Sequence, residues 1–457
     1  MTPENLLAAQ REFFLSGQTK PLKFRLKQLK KFRKALRENE QYFYEEIYKD
    51  FSKSKFETYA TELSIVYSEL NLAIKNLKKW MKPKKKRTNF ANFPGKSCVL
   101  PEPLGCTLVI GAWNYPYQLS LVPVISALAA GNTVILKPSE LSYNASAITA
   151  KIFNRIFIPE IFHVVLGGIK EAQALLNLKF DKIFFTGSIP VGKKIYEAAA
   201  KNFTPVTLEL GGKSPAFVLP DANLKMTAKR IVWGKFLNAG QTCVATDYIL
   251  VDRKIEKPLL EELKKQIEVQ FPDFENGIPE NYVQIINERN FDRLLNLIDE
   301  EKIYCGGTSD RKSRLIVPTV LHNVSFEDRI MDGEIFGPIL PVIAFDSLDK
   351  TLEAVNVKPK PLALYIFSKN KKSIRKIQTE ISFGGGAVND TVMHLTNHRL
   401  PFGGTGSSGI GNYHGYAGFE TFSHFKSILK KPFWFEPPVK YAPYSEKKRK
   451  ILKFLIE

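Results

Sequence analysis

Between Cys106 and Leu210 the chain alternates short runs rich in β-branched and aromatic residues with helical stretches, and no other feature limits the possible folds as much. The runs are CTLVI, NTVIL, FHVVL, DKIFF and VTLEL; between them lie the stretch Tyr117 to Ala130, a helix after Ser142 and two further helical segments. Strands joined by crossover helices form a parallel sheet, whose ligands sit beyond the carboxyl ends of the strands. The prediction is an α/β fold with a doubly wound parallel-sheet domain. Residues 4 to 80 ahead of it show helical spacing only, including Phe24 to Asn39, and join it as a helical N-terminus.

Beyond Gly211 the segments SPAFVL, DYILVD, LPVIAF and LALYIF are strand candidates, and a helix is expected around Met226 to Leu237. These make a second α/β domain over residues 211–394. Residues 88–102 and the aromatic-rich stretch 421–443 are too few to fold alone, so a small β bridging and oligomerisation element is expected from them. The expected division is thus 1–87 with 103–210, then 211–394, then 88–102 with 421–443, and a basic amphipathic tail over 444–457.

With 44% hydrophobic and 25% charged residues, the 457-residue chain can bury a sizeable core in two or three domains. Cys98, Cys106, Cys243 and Cys305 are widely spaced and form no CxxC pair, which suggests neither a disulfide framework nor a metal site and fits a reducing compartment. The N-terminus lacks a basic region followed by an apolar one, so no export signal is read. The longest apolar stretch, Leu121 to Leu136, is broken by Pro123, Gly131 and Asn132 and is not expected to span a membrane. A cytoplasmic protein is expected. A net charge of +20 can attract nucleic acid or an anionic membrane, but the lysines are spread through nearly every helical segment, as on a solvated surface. Only KPKKKR (Lys82–Arg87) and KKRK (Lys447–Lys450) are denser, and nucleic acid is not expected as a partner.

Three glycine-rich signals need sorting. Gly187 to Lys194 approaches the P-loop pattern, but Lys194 stands where a magnesium-binding Ser or Thr is required. What survives is a strand, a glycine turn and a helix whose N-terminal amides can meet a pyrophosphate. Gly404 to Gly409 spells GxGxxG yet follows no strand of a βαβ unit, so it is read as a loop shaping a site rather than a dinucleotide fingerprint. Gly384-Gly385-Gly386 is read as a turn without chemistry.

Cys243, in NAGQTCVA, follows a helix and a glycine turn that leave its thiol accessible, and a thiolate attacks carbonyl carbon well. A lone cysteine is nevertheless more often a small core residue. Glu209 lies in VTLELGGKSP, in an apolar strand ending in two glycines; a carboxylate in such surroundings has a raised pKa suited to general-base work. The competing reading is a salt bridge to a buried lysine. Asn114, at the end of the CTLVI strand, can offer an amide donor to an oxyanion, and Lys137 and Glu140 of ILKPSE hold the same strand-end position one unit later.

Taken together, IGAWNYP, VILKPSE, FFTGSIPVGK, LELGGKSP, NAGQTCVA, GEIFGPILPV and LPFGGTGSSGIGNYHG stand in the order and at about the spacing seen in aldehyde dehydrogenases. The chain most resembles the class 3 group, over roughly Arg11 to Lys431. The resemblance implies that Cys243 attacks the aldehyde, with the oxyanion held by the Asn114 amide and the Cys243 N–H. It implies that Glu209 activates the water that hydrolyses the thioester. It places Lys137 and Glu140 at the adenosine ribose, Glu334 and Phe336 at the nicotinamide ribose and ring, and Gly187, Ser188 and Gly192 along the pyrophosphate. NAD is the expected cofactor, because Glu140 repels a 2′-phosphate, with some NADP use since class 3 members often accept both and Lys193 and Lys194 offset that repulsion. Medium- to long-chain aliphatic or aromatic aldehydes and a homodimer are implied as well.

The chain departs from its class at VATDY, where class 3 members commonly read VAPDY, and in its tail, KKRKILKFLIE. Ile451, Leu452, Phe454, Leu455 and Ile456 are too few to cross a bilayer, which needs about 20 apolar residues. Such a tail suits either peripheral contact with an anionic membrane or, more simply for so short a run, docking on its own or a partner subunit. The nearest alternative functions are a CoA-acylating or acyl-reducing member of the same superfamily, and more distantly a basic scaffold for nucleic acid or membranes.

Overall fold

The computed structural model describes residues 1–272, 279 and 282–456, with the backbone alone for 455 and 456. The expected N-terminal helices are α1 (Pro3–Leu15), α2 (Leu22–Glu38), α3 (Glu40–Phe51), α4 (Lys55–Thr58) and α5 (Ser64–Trp80), with a π-helical turn at Tyr59–Leu63 between the last two. Strands β1 (Lys84–Lys86) and β2 (Lys96–Pro103) lead into the alternating region. There β3 (Cys106–Ile110), α6 (Gln118–Ala130), β4 (Thr133–Lys137), α7 (Tyr143–Ile156), β5 (Phe162–Val164), α8 (Ile169–Leu176), β6 (Lys182–Thr186), α9 (Ile189–Ala200) and β7 (Val206–Glu209) follow one another. The apolar run from Leu121 is divided between the buried α6 and β4, the helix ending at Gly131 with φ +93°. Among the described residues no helix is long and apolar enough to cross a membrane.

The second region carries β8 (Pro215–Val218), α10 (Leu224–Phe236), β9 (Tyr248–Asp252), β10 (Ile303–Cys305), a two-residue pair β11 (Ser309–Asp310) and β12 (Leu315–Ile316), then β13 (Thr319–Leu321), β14 (Ile339–Phe345), β15 (Ala363–Phe367) and β16 (Gly385–Val388). Late in the chain come β17 (Gly409–Ile410) and β18 (Ser423–Lys430). Two expectations need correction. Gly385 and Gly386 of the triple glycine begin β16 rather than form a turn: they pair with β15, and a Cβ on Gly386 would stand 2.0 Å from Leu364 O. Residues 84–86, placed by sequence with the first domain, form β1 of the small three-stranded sheet β1-β2-β18.

The first large sheet has the order β17-β7-β6-β3-β4-β5, parallel except for β17. From β3 the chain moves outward to β4 and β5, then returns beside β3 to lay down β6 and β7. That reversal opens a crevice at the carboxyl ends of β3 and β6. Helices cover both faces: residues of α1, α8 and α9 pack with Leu108, Ile183 and Leu208 on one, and residues of α2, α5, α6 and α7 pack with Val109 and Phe184 on the other. The second sheet, β10-β13-β14-β9-β8-β15-β16, is parallel save for β10. The link from β7 to β8 is only Leu210–Ser214, so the carboxyl edge of the first sheet meets the amino edge of the second.

One buried ion pair ties the N-terminal helices to this junction. Lys53 Nζ donates to Glu62 Oε1 at 3.1 Å, both side chains being fully buried. Glu62 Oε2 accepts from the amides of Tyr117 (2.7 Å) and Gln118 (3.2 Å) at the start of α6, where a negative charge also meets the positive end of the helix dipole. Lys53 Nζ further lies 4.1 Å from the centroid of the Tyr115 ring. Removing one partner of a buried pair leaves the other charge uncompensated, at about 3–5 kcal/mol. Lys53→Met is therefore expected to lower the urea midpoint by a large fraction of the total stability with little change in slope; a midpoint within experimental scatter of the parent would show the pair to be dispensable.

Candidate active site

The loop between α10 and β9 brings Cys243 to the junction through an unfavourable backbone. Asn238, Ala239 and Gly240 adopt φ values of +54°, +50° and +71° in succession, and a left-handed residue with a Cβ costs roughly 1–3 kcal/mol. Gly240 is obligatory, since a Cβ there would stand 2.2 Å from Gly337 O. Side chains from distant elements hold the strain in place. Glu57 Oε1 accepts from Asn238 N (2.9 Å), and Asn238 Nδ2 donates to Asn114 O (3.0 Å) and Gln241 O (3.1 Å). Gln241 donates through Nε2 to Gln284 O (3.0 Å) and accepts at Oε1 from Ile286 N (3.0 Å). On either side of Cys243, the Thr242 and Tyr115 hydroxyls share a hydrogen bond of 2.7 Å and Tyr365 OH donates to Val244 O at 2.5 Å.

Asn114 is thereby joined to the cysteine loop: its Nδ2 donates one proton to Gln241 O at 3.0 Å, and its second proton meets no acceptor among the described residues. Cys243 is partly exposed, yet burial of its sulfur and the negative charges of Glu334 and Glu209 push the thiol up to about 12. Glu209 ends β7, buried, and among the described residues neither carboxylate oxygen has a hydrogen-bond partner. The salt-bridge reading of Glu209 is excluded: burial alone holds its pKa well above the usual carboxylate range. A carboxyl whose pKa is raised by burial is, once ionised, a stronger base than an exposed one, so beside a thiol and an amide donor it can take a proton from water after covalent attack on a carbonyl.

The residues assigned to a dinucleotide fit one. Lys137, the last residue of β4, and Glu140, just past it, form a 2.6 Å ion pair whose lysine is buried and whose carboxylate is 43% exposed. After β6, Gly187 sits under the Phe185 ring, where a Cβ would approach to 2.5 Å, and Gly192 sits against Leu210 at 2.6 Å. Ser188 is the N-cap of α9 but makes no side-chain bond to it, so the first amides of this twelve-residue helix remain available to an anion. Glu334 and Phe336 come from the loop before β14. A Cβ on Gly211 would collide with Glu334 Oε2 at 2.0 Å, and burial, then the charge of Asp247, push the Glu334 carboxyl up to about 8. Phe336, with φ +50°, meets Trp113 edge-on at 5.4 Å.

Several residues at the site escaped the sequence reading. Asp247 accepts from Ile335 N (2.9 Å) and Lys213 Nζ (2.6 Å); Lys213 also donates to Ile330 O and Gly333 O, and Arg293 to Ile335 O, so three side chains fix the loop bearing Glu334 and Phe336. Lys235 is fully buried, its Nζ lacks a hydrogen-bond partner among the described residues, and burial lowers it to about 8. The hydroxyls of Thr186 and Tyr413 are likewise buried without partners. The signal for Lys213 and Asp247 was present in LELGGKSP and VATDY, whose charges flank apolar strands; Tyr413 carried none, as an aromatic residue reads as core.

Helix amides free at the end of β6, a partly exposed cysteine and an unpartnered carboxylate where two α/β sheets abut are the features of a dinucleotide-dependent enzyme. The model of the aldehyde dehydrogenase family matches residues 4–428, and the chain belongs to that family. Its activity is accordingly the NAD(P)-dependent oxidation of aldehydes. It is 45% identical over 444 residues to 4,4′-diaponeurosporen-aldehyde dehydrogenase of Staphylococcus aureus, covering 97% of this chain and 96% of the relative. It is 42% identical over 440 residues to aldehyde dehydrogenase family 3 member A2 of Macaca fascicularis (96% and 90% covered), and 43% identical over 419 residues to the mouse enzyme named aldehyde dehydrogenase, dimeric NADP-preferring (92% of each). The solved substrate-bound state of Staphylococcus aureus AldH superposes with a TM-score of 0.96 at 44% identity over 99% of both chains.

Two measurements follow from the electrostatics. With the thiol held near 12, the rate at which iodoacetamide alkylates Cys243 in the cofactor-free protein is expected to rise about tenfold per pH unit from 7 to 10; a plateau below pH 9 would contradict it. Glu209 binds its proton more tightly folded than unfolded, so its contribution to stability is present below the unfolded value near 4.3 and is lost as pH rises towards the folded value. The urea midpoint of Glu209→Gln should therefore gain on that of the parent as pH goes from 5 to 9.

Proposed function

We propose that the reaction runs through Cys243, Glu209 and Asn114 and ends in hydrolysis to a carboxylic acid. The observation that carries this reading is the Glu209 carboxyl, buried at the end of β7, unpartnered among the described residues and in electrostatic reach of Cys243. Cys243 Sγ, its proton released to solvent, attacks the aldehyde carbon as the thiolate to give a thiohemiacetal oxyanion held by the Asn114 amide and the Cys243 N–H. The chemistry that NAD supplies when bound is acceptance of the hydride. Glu209 then removes a proton from the water that cleaves the thioester. A base placed for water has little use in an enzyme that hands the acyl group to CoA, which favours hydrolysis over the CoA-acylating alternative; release of a CoA thioester would reverse that choice.

On the cofactor side, Lys137 and Glu140 hold the adenosine ribose, Gly187, Ser188 and Gly192 line the pyrophosphate, and Glu334 and Phe336 hold the nicotinamide end. Glu140, fixed by Lys137, places negative charge at the ribose hydroxyls and supports NAD over NADP, while the exposed Lys193 and Lys194 on the second turn of α9 offset it in part. Medium- to long-chain aliphatic or aromatic aldehydes are the substrate class, a choice supported by the likeness to aldehyde dehydrogenase family 3 members. Exposed Phe90, Phe93, Phe433 and Trp434 around the small sheet support a homodimer assembled through residues 88–102 and 421–443, and four free cysteines fit a reducing, cytoplasmic setting. The helix Glu446–Ile456 lies against the turn Phe90–Asn92, which favours docking of the tail on its own subunit over a membrane surface. Binding of the chain to anionic liposomes, lost on deleting residues 446–457, would reverse that preference.

The test is NADH formation with NAD and a panel from acetaldehyde through decanal to benzaldehyde. Wild type is expected to turn over, Cys243→Ala to be inactive, and Glu209→Gln to release about one NADH per site and then slow by roughly two orders of magnitude or more. Full activity of Cys243→Ala would overturn the mechanism, and equal catalytic efficiency with NAD and NADP would overturn the role given to Glu140.

A further inference from the structure

The stretch that follows the Gly404–Gly409 loop has no part in the reaction as described, yet it lies against Glu209. In β17, Gly409 stands opposite Glu209 and Ile410 opposite Leu208. Gly411 approaches β7 so closely that a Cβ on it would be 3.0 Å from Thr207 Oγ1. Two residues on, Tyr413 is fixed by a reciprocal pair of backbone hydrogen bonds with Phe402, of 2.8 and 3.0 Å. Its ring meets Phe184 of β6 edge-on, with centroids 4.9 Å apart.

The pleat of the sheet decides which side chains share this space. Val206 and Leu208 of β7, with Ile183 and Phe185 of β6, belong to the core on one face, whereas Phe184 and Tyr413 belong to the core on the other. Side chains alternate along a strand, so Thr207 and Glu209 point to the face of Phe184 and Tyr413. Tyr413 has no exposed surface, and its hydroxyl has no hydrogen-bond partner among the described residues. A buried phenol is ordinarily partnered, and leaving it otherwise is destabilising, a cost that phenylalanine at the same place would avoid. Burial first, then the negative charges of Glu209 and Cys243, raise the phenol far above its ordinary value and keep it neutral.

We propose that the Tyr413 hydroxyl orients the water that hydrolyses the thioester on Cys243. The water passes one proton to the Glu209 carboxylate and directs its other O–H to Tyr413 Oη, which leaves a lone pair facing the carbonyl carbon. The C–O bond forms, the C–S bond breaks with its electron pair going to sulfur, and the acid departs; nothing is oxidised or reduced in this step. Tyr413 is a positioning residue: it exchanges no proton of its own. The inference rests on the hydrolytic reading given above.

The experiment compares wild type with Tyr413→Phe, full chain with NAD and an aldehyde that wild type oxidises, by rapid-mixing NADH absorbance and by mass spectrometry of protein quenched during turnover. In the variant the first turnover is expected to stay within about twofold of wild type, while the steady rate falls about tenfold or more and the acyl mass accumulates on Cys243. A packing role would slow both phases together. Equal loss of both, or no change in either, overturns the proposal. A wild type that yields no NADH from any aldehyde defeats the hydrolytic reading and this inference with it, whereas an active wild type and an unaltered variant defeat this inference alone.

Discussion

A carboxyl group buried at the end of an apolar strand, with no cation and no donor to meet it among the described residues, is the constraint around which this protein is arranged. Glu209 is destabilising wherever it ionises, and the surrounding structure leaves that tension in place. Lys53, Lys213 and Lys137 are each committed to another carboxylate, while Glu62 and Asp247 answer to the amides of Tyr117, Gln118 and Ile335. What Glu209 faces instead is the cysteine loop and an equally unpartnered phenol. Its proton is therefore held by desolvation alone, and that hold weakens or strengthens with whatever enters the space.

A second tension lies in the loop that presents Cys243. Three successive left-handed residues would relax if left to themselves, and the groups that prevent it come from Glu57 in the N-terminal helices, Asn114 after β3, and the backbone of Gln284 and Ile286 in the second region. Position of the thiol is thus a property of the whole junction rather than of the loop's own sequence. The Lys53 and Glu62 pair, which seats the start of α6 and lies over the Tyr115 ring, belongs to the same arrangement.

The fold was legible because its signals are local. Each run of the 106–210 region reappears as a strand within a residue or so, since an apolar β-rich run bounded by glycine or proline has few other ways to be buried. Cys243, Glu209, Asn114, Lys137, Glu140, Gly187, Ser188, Glu334 and Phe336 fall at strand ends or in loops, and Gly192 in the first turn of α9. What stayed hidden depends on contacts between residues far apart in the chain. Nothing near Tyr413 announces that its hydroxyl shares a sheet face with Glu209, because that follows from the pairing of β17 with β7. The triple glycine was misread for the same reason: in β16 the missing side chains admit the backbone of β15, whereas in the sequence alone they suggest a bend. Short strands such as β10 and β13 gave too few residues for any periodicity to show.

The late return of the chain to its first sheet also governs how the protein is made. β7 emerges from the ribosome with its outer edge unpaired, and its neighbour β17 arrives about 200 residues later, an interval of roughly 10–40 s at ordinary rates of synthesis. Throughout that time an open strand edge, a hazard for adhesion to other nascent chains, stands beside the unpaired acid. The first sheet is thus begun early and closed late, so a ribosome halted just before residue 409 releases a body that has most of its mass and is adhesive at one edge.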